Sequence, residues 1–158
     1  NHPLGEEILV LEGTFSDASG DFPAGTYFRN PIDFRHAPFS EGGCLILVKL
    51  HQFQPDDHKR LAVDSSRSVW QPRADGGSEL LLHQHHTERV ALLELPAGGS
   101  WQQPAEEFGL ELYVLSGTIH VDRGEHAAGT WLRRPAGRPC SITAVGPVRL
   151  WIKTGHLP

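Results

Sequence analysis

His2 and Glu6 stand four residues apart at the head of a strand-like run, Glu6 stands seven before the turn glycine Gly13, and His36 follows the Pro23-Ala24-Gly25 turn by eleven. Neutral imidazole nitrogens and a carboxylate oxygen are ordinary ligands for a first-row divalent metal, held at about 2.0–2.2 Å in the case of zinc. Those spacings bring the three side chains together only if the strand that carries Glu6 and a strand that carries His36 pair inside a barrel. Two histidines and one glutamate leave a four-ligand set incomplete, so a fourth ligand from protein or water is implied. A closed set would make the metal structural or sensory, its binding free energy adding to the folding of the lobe. An open position would let it activate a water or hold a substrate carbonyl and dioxygen. The residues alone leave both states open. Phe15, Tyr27, Phe34 and Phe39 would either line a small pocket above the metal or fill the barrel.

Other titratable clusters are weaker. Glu7 reads as a carboxylate that supports the site or the fold, because it has a partner in Glu111, where no metal is expected. His83, His85 and His86 form a His-x-His-His run in which His83 and His85 would share one face of a strand. No glutamate or turn glycine follows that run at the spacing seen after His2, so these histidines read as hydrogen-bonded or exposed. The two cysteines, Cys44 and Cys140, are too few for a disulfide framework, which fits a reduced, cytoplasmic setting. Cys140 reads as a buried, inert thiol.

The elements that must position these groups are written twice. At a constant offset of 104, Gly5 to Thr14 falls on Gly109 to Thr118 and Ala24 to Pro31 falls on Ala128 to Pro135, with 14 identities in 45 positions between 5–49 and 109–153. That period is too long for a solenoid or propeller repeat and reads as two copies of one small domain. The copies differ where chemistry would sit, since Glu106, Leu110 and Cys140 occupy the places of His2, Glu6 and His36. Copy two is preceded by a strand-like run, Glu88 to Leu95, and a turn at Pro96 to Gly99, whose counterparts would lie before residue 1. With no methionine anywhere, the chain reads as a piece of a longer protein whose first lobe lacks its opening strands.

Composition sets wide bounds. The chain has 158 residues, 39% of them hydrophobic and 21% charged, enough for a sizeable core as one domain or two small ones. A net charge of −5 argues against a nucleic-acid surface, which needs clustered Lys and Arg. Arg133, Arg134 and Arg138 form one short basic cluster beside prolines and read as a solvated loop. No apolar run approaches the roughly 18 residues of a membrane span, and the N-terminus is polar where a signal peptide would be hydrophobic, so a soluble protein is expected.

Short apolar runs such as Ile8 to Leu11, Cys44 to Val48, Leu112 to Leu115 and Val148 to Ile152 alternate with Gly and Pro turns, and no window holds a helical period for three turns. An all-β fold follows, an antiparallel sandwich or barrel. The expected division is a first lobe over 1–52, inter-lobe strands and turns over 53–87, and a second lobe over 88–158. Leu61 to Asp64 and Leu80 to His83 are expected as strands bridging the two.

The run from His2 through Gly13, with Pro23-Ala24-Gly25 and His36, resembles the two motifs of the cupin superfamily, in which a His-x-His pair, a Glu and a later His hold one metal in a small β-barrel. Glu6 to Asp17, Arg29-Asn30-Pro31 and His36 to Ser40 are similar to the cupin domain of ChrR-type anti-sigma factors, a zinc-binding sensory module. The likeness is clearest over roughly residues 1–55. It implies a bicupin of two tandem jelly-roll-like lobes, with one divalent metal held by His2, Glu6 and His36 in the first lobe and none in the second. Zinc is the metal that the resemblance implies, and iron, manganese or nickel would suit the same ligands. The family's first histidine would fall just upstream of Asn1. The family's helical sigma-factor-binding segment, with its His-x-x-x-Cys-x-x-Cys run, is not in this chain. The resemblance thus implies a sensor of an oxidant or small ligand. A metal-dependent dioxygenase similar to the acetylacetone-cleaving cupins is the alternative, and a purely structural bicupin a third reading. Pairing of sheet edges in a homodimer is a further expectation.

Overall fold

The computed structural model describes residues 4–105 and 107–157 and, among them, contains strands and turns but no helix. Contacts divide the chain into two compact units, Asn1–Ser68 and Val69–Pro158. Leu61 to Asp64 is a strand of the first unit and Leu80 to His83 lies in a strand of the second.

The first unit is built around one long strand. β1 (Glu6–Asp17) pairs through its first half with β3 (Thr26–Asn30) on one side and β4 (Cys44–Leu50) on the other, and through its second half with β2 (Gly20–Pro23). β5 (Leu61–Asp64) extends the sheet beyond β3. Two-residue alternation sends Ile8 and Val10 to the inner face, where they form the core with Phe15 and Phe28, flanked by Phe22 and Ile46. A bulge between Val10 and Glu12 and the positive φ of Gly13 (71°) bend β1 between its halves. A Cβ on Gly13 would lie 2.1 Å from the Gly43 carbonyl oxygen, so this bend admits only glycine.

The opposite face of the same sheet is polar and buried. Glu7, Arg29 and Lys49 form one row across β3, β1 and β4. The Tyr27 hydroxyl donates to Glu7 Oε2 at 2.6 Å, and Arg29 Nη1 donates to Asp57 Oδ2 at 2.6 Å. Phe53 lies 4.0 Å from the Arg29 guanidinium, so the segment after β4 covers this face.

The second unit comprises β6 (Gln71–Pro72), β7 (Ser78–His85), β8 (Glu88–Leu95), β9 (Ser100–Gln103), β10 (Gly109–Ser116), β11 (Thr118–Val121), β12 (Gly124–Ala127), β13 (Trp131–Arg134), β14 (Cys140–Ala144) and β15 (Val148–Leu157). They make a six-stranded sheet, β13-β10-β15-β8-β7-β6, and a four-stranded one, β12-β11-β14-β9. Leu110, Leu112, Val114, Ile119, Ile142 and Leu150 are among the side chains of the apolar core of this unit.

The 104-residue repeat is a repeat of register. Glu6↔Asn30 and Glu7↔Arg29 in the first unit become Leu110↔Arg134 and Glu111↔Arg133 in the second. The bulge between Val10 and Glu12 recurs between Val114 and Ser116, and Gly117 takes the positive φ of Gly13. The identities Glu7/Glu111, Arg29/Arg133 and Lys49/Lys153 are thus one cross-strand row present in both lobes. In the second, Arg133 Nε reaches Glu111 at 2.9 Å and Lys153 Nζ reaches Glu88 at 3.1 Å.

Candidate metal centre

Glu6 opens β1 on the inner face, one step before the core residue Ile8 of that face. Register places it opposite Asn30, whose Nδ2 donates to Glu6 Oε1 at 2.8 Å. Asp17 closes the same strand eleven residues later, where Ser19 N donates to its Oδ1 at 2.7 Å in a tight side-chain turn. His36 arrives from irregular chain. Pro31, the left-handed Asp33 (φ 66°) and Pro38 keep 31–38 out of a ladder, and only Phe39 forms an isolated bridge, with Ser16. The expectation that His36 sits on a paired strand is therefore corrected. That bridge, with the Ser16 and Phe39 amide bonds at 2.9 Å, anchors the segment and swings His36 over the end of β1.

The imidazole lies between two carboxylates. His36 Nε2 is 2.8 Å from Glu6 Oε1, and Nδ1 is 2.9 Å from Asp17 Oδ2, with all three side chains 4% exposed or less. Phe15 and Phe34 flank the ring, with centroids at 5.9 and 5.6 Å. Burial pushes the Asp17 carboxyl up, but the hydrogen bonds from His36 and Ser19 outweigh it and hold the group below the usual carboxylate range. Asp17 is therefore the fixed anion, and it calls for the proton on Nδ1. Nε2, at hydrogen-bond distance from Glu6, is then the ring nitrogen left to serve a ligand when the ring carries its single proton on Nδ1. A buried imidazole nitrogen and carboxylate oxygen 2.8 Å apart are a donor pair that a divalent cation would share in place of the proton, with Asp17 in the orienting role that a carboxylate takes behind a metal-bound histidine.

Of the sequence candidates, Glu6 and His36 come together, whereas His2 lies outside the described residues, as does Glu106, its counterpart in copy two. Glu7 faces away from Glu6 and is held by Tyr27, so Tyr27 belongs to the opposite face and lines no pocket with His36. Phe15 and Phe34 do touch the site, and Phe39 is exposed. Asp17 and Asn30 were missed. Their signal lay in the fold rather than in a motif, since an aspartate in Asp17-Ala18-Ser19-Gly20 reads as a turn residue until β1 is seen to run its full length. A cavity of about 300 Å3 adjoins the site, lined by Phe22, Phe28, Asn30, Leu61, Ala62 and Arg60 among others. Arg60 reaches the Ser19 hydroxyl and lies 4.4 Å from the Phe34 ring.

In the second lobe the same positions are hydrocarbon. Leu110, Val121 and Cys140 stand where Glu6, Asp17 and His36 stand in the first, and all three belong to the apolar core. Burial raises the Cys140 thiol above its ordinary value despite the nearby Arg134 guanidinium, so it stays protonated. In the His-x-His-His run His83 is buried and His86 exposed, with the His83 and His85 ring centroids 6.5 Å apart and nearly parallel at 14°.

Compared with known proteins, residues 1–54 and 58–158 match the sequence model of the ChrR cupin-like domain. The chain belongs to the ChrR cupin-like family. A crystal structure of a candidate dioxygenase from Nostoc punctiforme is similar to this ChrR cupin-like chain with a TM-score of 0.78 and 18% identity, over 96% of this chain and 61% of that one. The chain thus spans less than two thirds of that relative. Anti-sigma factor ChrR of Rhodobacter sphaeroides, solved in complex with SigE, gives 0.51 and 15% identity over 57% of this chain and 50% of its own. A candidate acetylacetone dioxygenase from Methylibium petroleiphilum gives 0.57 and 16% over 65% of this chain and 81% of its own. At these identities the likenesses establish the fold, a two-lobe cupin. No curated protein sequence matches the chain. Among the described residues no helix is long and apolar enough to cross a membrane.

Proposed function

We propose that the first lobe holds one divalent metal, zinc, through His2, Glu6 and His36, and that the chain is a sensory cupin resembling the one in ChrR-type anti-sigma factors. The observation that carries this reading is the buried row Glu6–His36–Asp17, with 2.8 and 2.9 Å between its members. Asp17 holds the proton on Nδ1 and aims Nε2, Asn30 holds the Glu6 carboxylate, and Phe15 and Phe34 exclude water from the imidazole. When bound, zinc would supply a Lewis-acidic centre and a link between β1 and the 31–38 segment, so that loss of a ligand to an oxidant or small molecule would loosen both. In this reading 1–52 is the metal-binding lobe and 88–158 its ligand-free twin, with 53–87 between them.

The cavity beside Asn30 favours a second reading, a metal-dependent dioxygenase, because it offers a small substrate room next to the site. Elemental analysis of the purified protein, paired with oxygen uptake in the presence of acetylacetone, separates the two. Sensing predicts near-stoichiometric zinc and no oxygen consumption, and the enzyme predicts iron and uptake above the buffer rate. No bound transition metal would defeat both.

A further inference from the structure

The second lobe carries a cavity of about 380 Å3, within the range of small-molecule sites, walled by the β7–β8 turn region, by β9 and the segment after it, and by the end of β15. Gln84, Arg89, Trp101, Gln103, Phe108 and Thr154 are among its lining residues. Cross-strand register pairs Trp101 with Ile142 and Gln103 with Cys140. Trp101 packs on the apolar core, and Gln103, two residues on, shares its face. Gln103 is thus the neighbour of Cys140, the counterpart of His36, and it stands over the part of the lobe where the first lobe keeps its acid and imidazole groups.

Gln103 Oε1 is buried, has no hydrogen-bond partner, and belongs to a residue that lines this cavity. A buried amide oxygen is ordinarily satisfied, so an unmet one at a cavity wall points to a group that arrives from outside. The rest of the lining says what that group is attached to. Arg89 is the charged residue of the lining, and its guanidinium is already met by Glu79. Among the described lining residues there is no carboxylate, imidazole or thiol, which argues against a transition-metal ion. What remains are neutral hydrogen-bonding groups, the amides of Gln84, Gln102 and Gln103 and the hydroxyls of Thr87 and Thr154, set beside the aromatic rings of Trp101 and Phe108. Amides with an aromatic platform suit a ring that carries hydroxyls on its edge and C–H bonds on its face. A hydroxyl both donates and accepts, so it satisfies the Gln103 amide in either orientation.

We propose that the second lobe is a metal-independent binding site for an uncharged polyhydroxylated ring compound, of the monosaccharide or cyclitol class, with Gln103 as its anchoring group and Trp101 as its platform.

The test is calorimetric titration of the whole chain with glucose, myo-inositol and N-acetylglucosamine, and with glucuronate as a charged counterpart, each with and without prior chelator treatment. Saturable binding is expected for at least one neutral probe, unchanged by the chelator and at least tenfold tighter than glucuronate. Gln103→Leu should weaken it tenfold or more, and Trp101→Leu likewise. Thermal unfolding of both variants reports whether they fold, and Gln103→Met, which keeps the side chain's length without its hydrogen-bonding groups, stands in should the leucine variant fail. Absence of saturable binding by all three neutral probes, loss of binding on chelation, equal binding of glucuronate, or indifference to a folded Gln103 variant would each overturn the proposal. The chelator arm separates its failure from that of the metal reading of the first lobe.

Discussion

Asp17→Asn isolates the orienting role of a single carboxylate. In the native site Asp17 Oδ1 accepts from Ser19 N at 2.7 Å while Oδ2 faces His36 Nδ1 at 2.9 Å. Asparagine retains Oδ1 for Ser19 and so presents its NH2 to Nδ1. That nitrogen must then accept, the ring proton moves to Nε2, and Nε2–H donates to Glu6. The substituted site is satisfied without metal but offers a donor where a ligand needs a lone pair. Loss of an orienting partner behind a metal-bound histidine typically weakens metal binding 10- to 100-fold, about 1.4–2.7 kcal/mol. Competition titration of zinc against a chromophoric chelator at neutral pH measures that difference, and thermal unfolding of the metal-free forms serves as the control. The expected result is a 10- to 100-fold weaker site with little change in metal-free stability. Affinity within twofold of the native protein would refute the reasoning, as would a metal-free variant too unstable to fold.

Three further outcomes follow from the packing. Arg29→Met removes the cation that meets Asp57 at 2.6 Å in a fully buried position, and breaking that buried ion pair should cost about 3–5 kcal/mol in urea denaturation. Leu110→Ala, at the second-lobe counterpart of Glu6, should cost about 2–5 kcal/mol while leaving metal content untouched, because that position is core. Glu94 gives a pH dependence: burial pushes its carboxyl up, but Arg149 and Ser78 outweigh this and hold it below the ordinary 4.5. A carboxyl with a depressed folded pKa stabilises above its unfolded value and loses that contribution as pH falls through the folded one. Arg149→Gln should therefore lower the unfolding free energy from urea denaturation at pH 7, by no more than about 1 kcal/mol for so exposed a pair, with the gap from native closing below pH 4.5.

The repeat was legible because its identities mark register. Glu7, Arg29 and Lys49 recur as one cross-strand row, and Gly13 recurs because a Cβ there would strike the facing carbonyl. The path of 31–38 was not legible, since Pro31 and Pro38 suppress a strand pattern and a single bridge at Phe39 fixes His36. Asp17 was hidden for a related reason: its partner is 19 residues away and meets it through that bridge. The covering segment after β4 was equally silent, because Asp57 reads as a turn acid until Arg29 is found buried beneath it.

Anomalous diffraction from crystals grown with zinc tests the central claim most directly. One strong peak is predicted in the first lobe, in contact with Glu6 and His36 Nε2 and with Asp17 on the far nitrogen of the ring. A peak elsewhere, with Glu6 and His36 still bonded directly to each other, would contradict it.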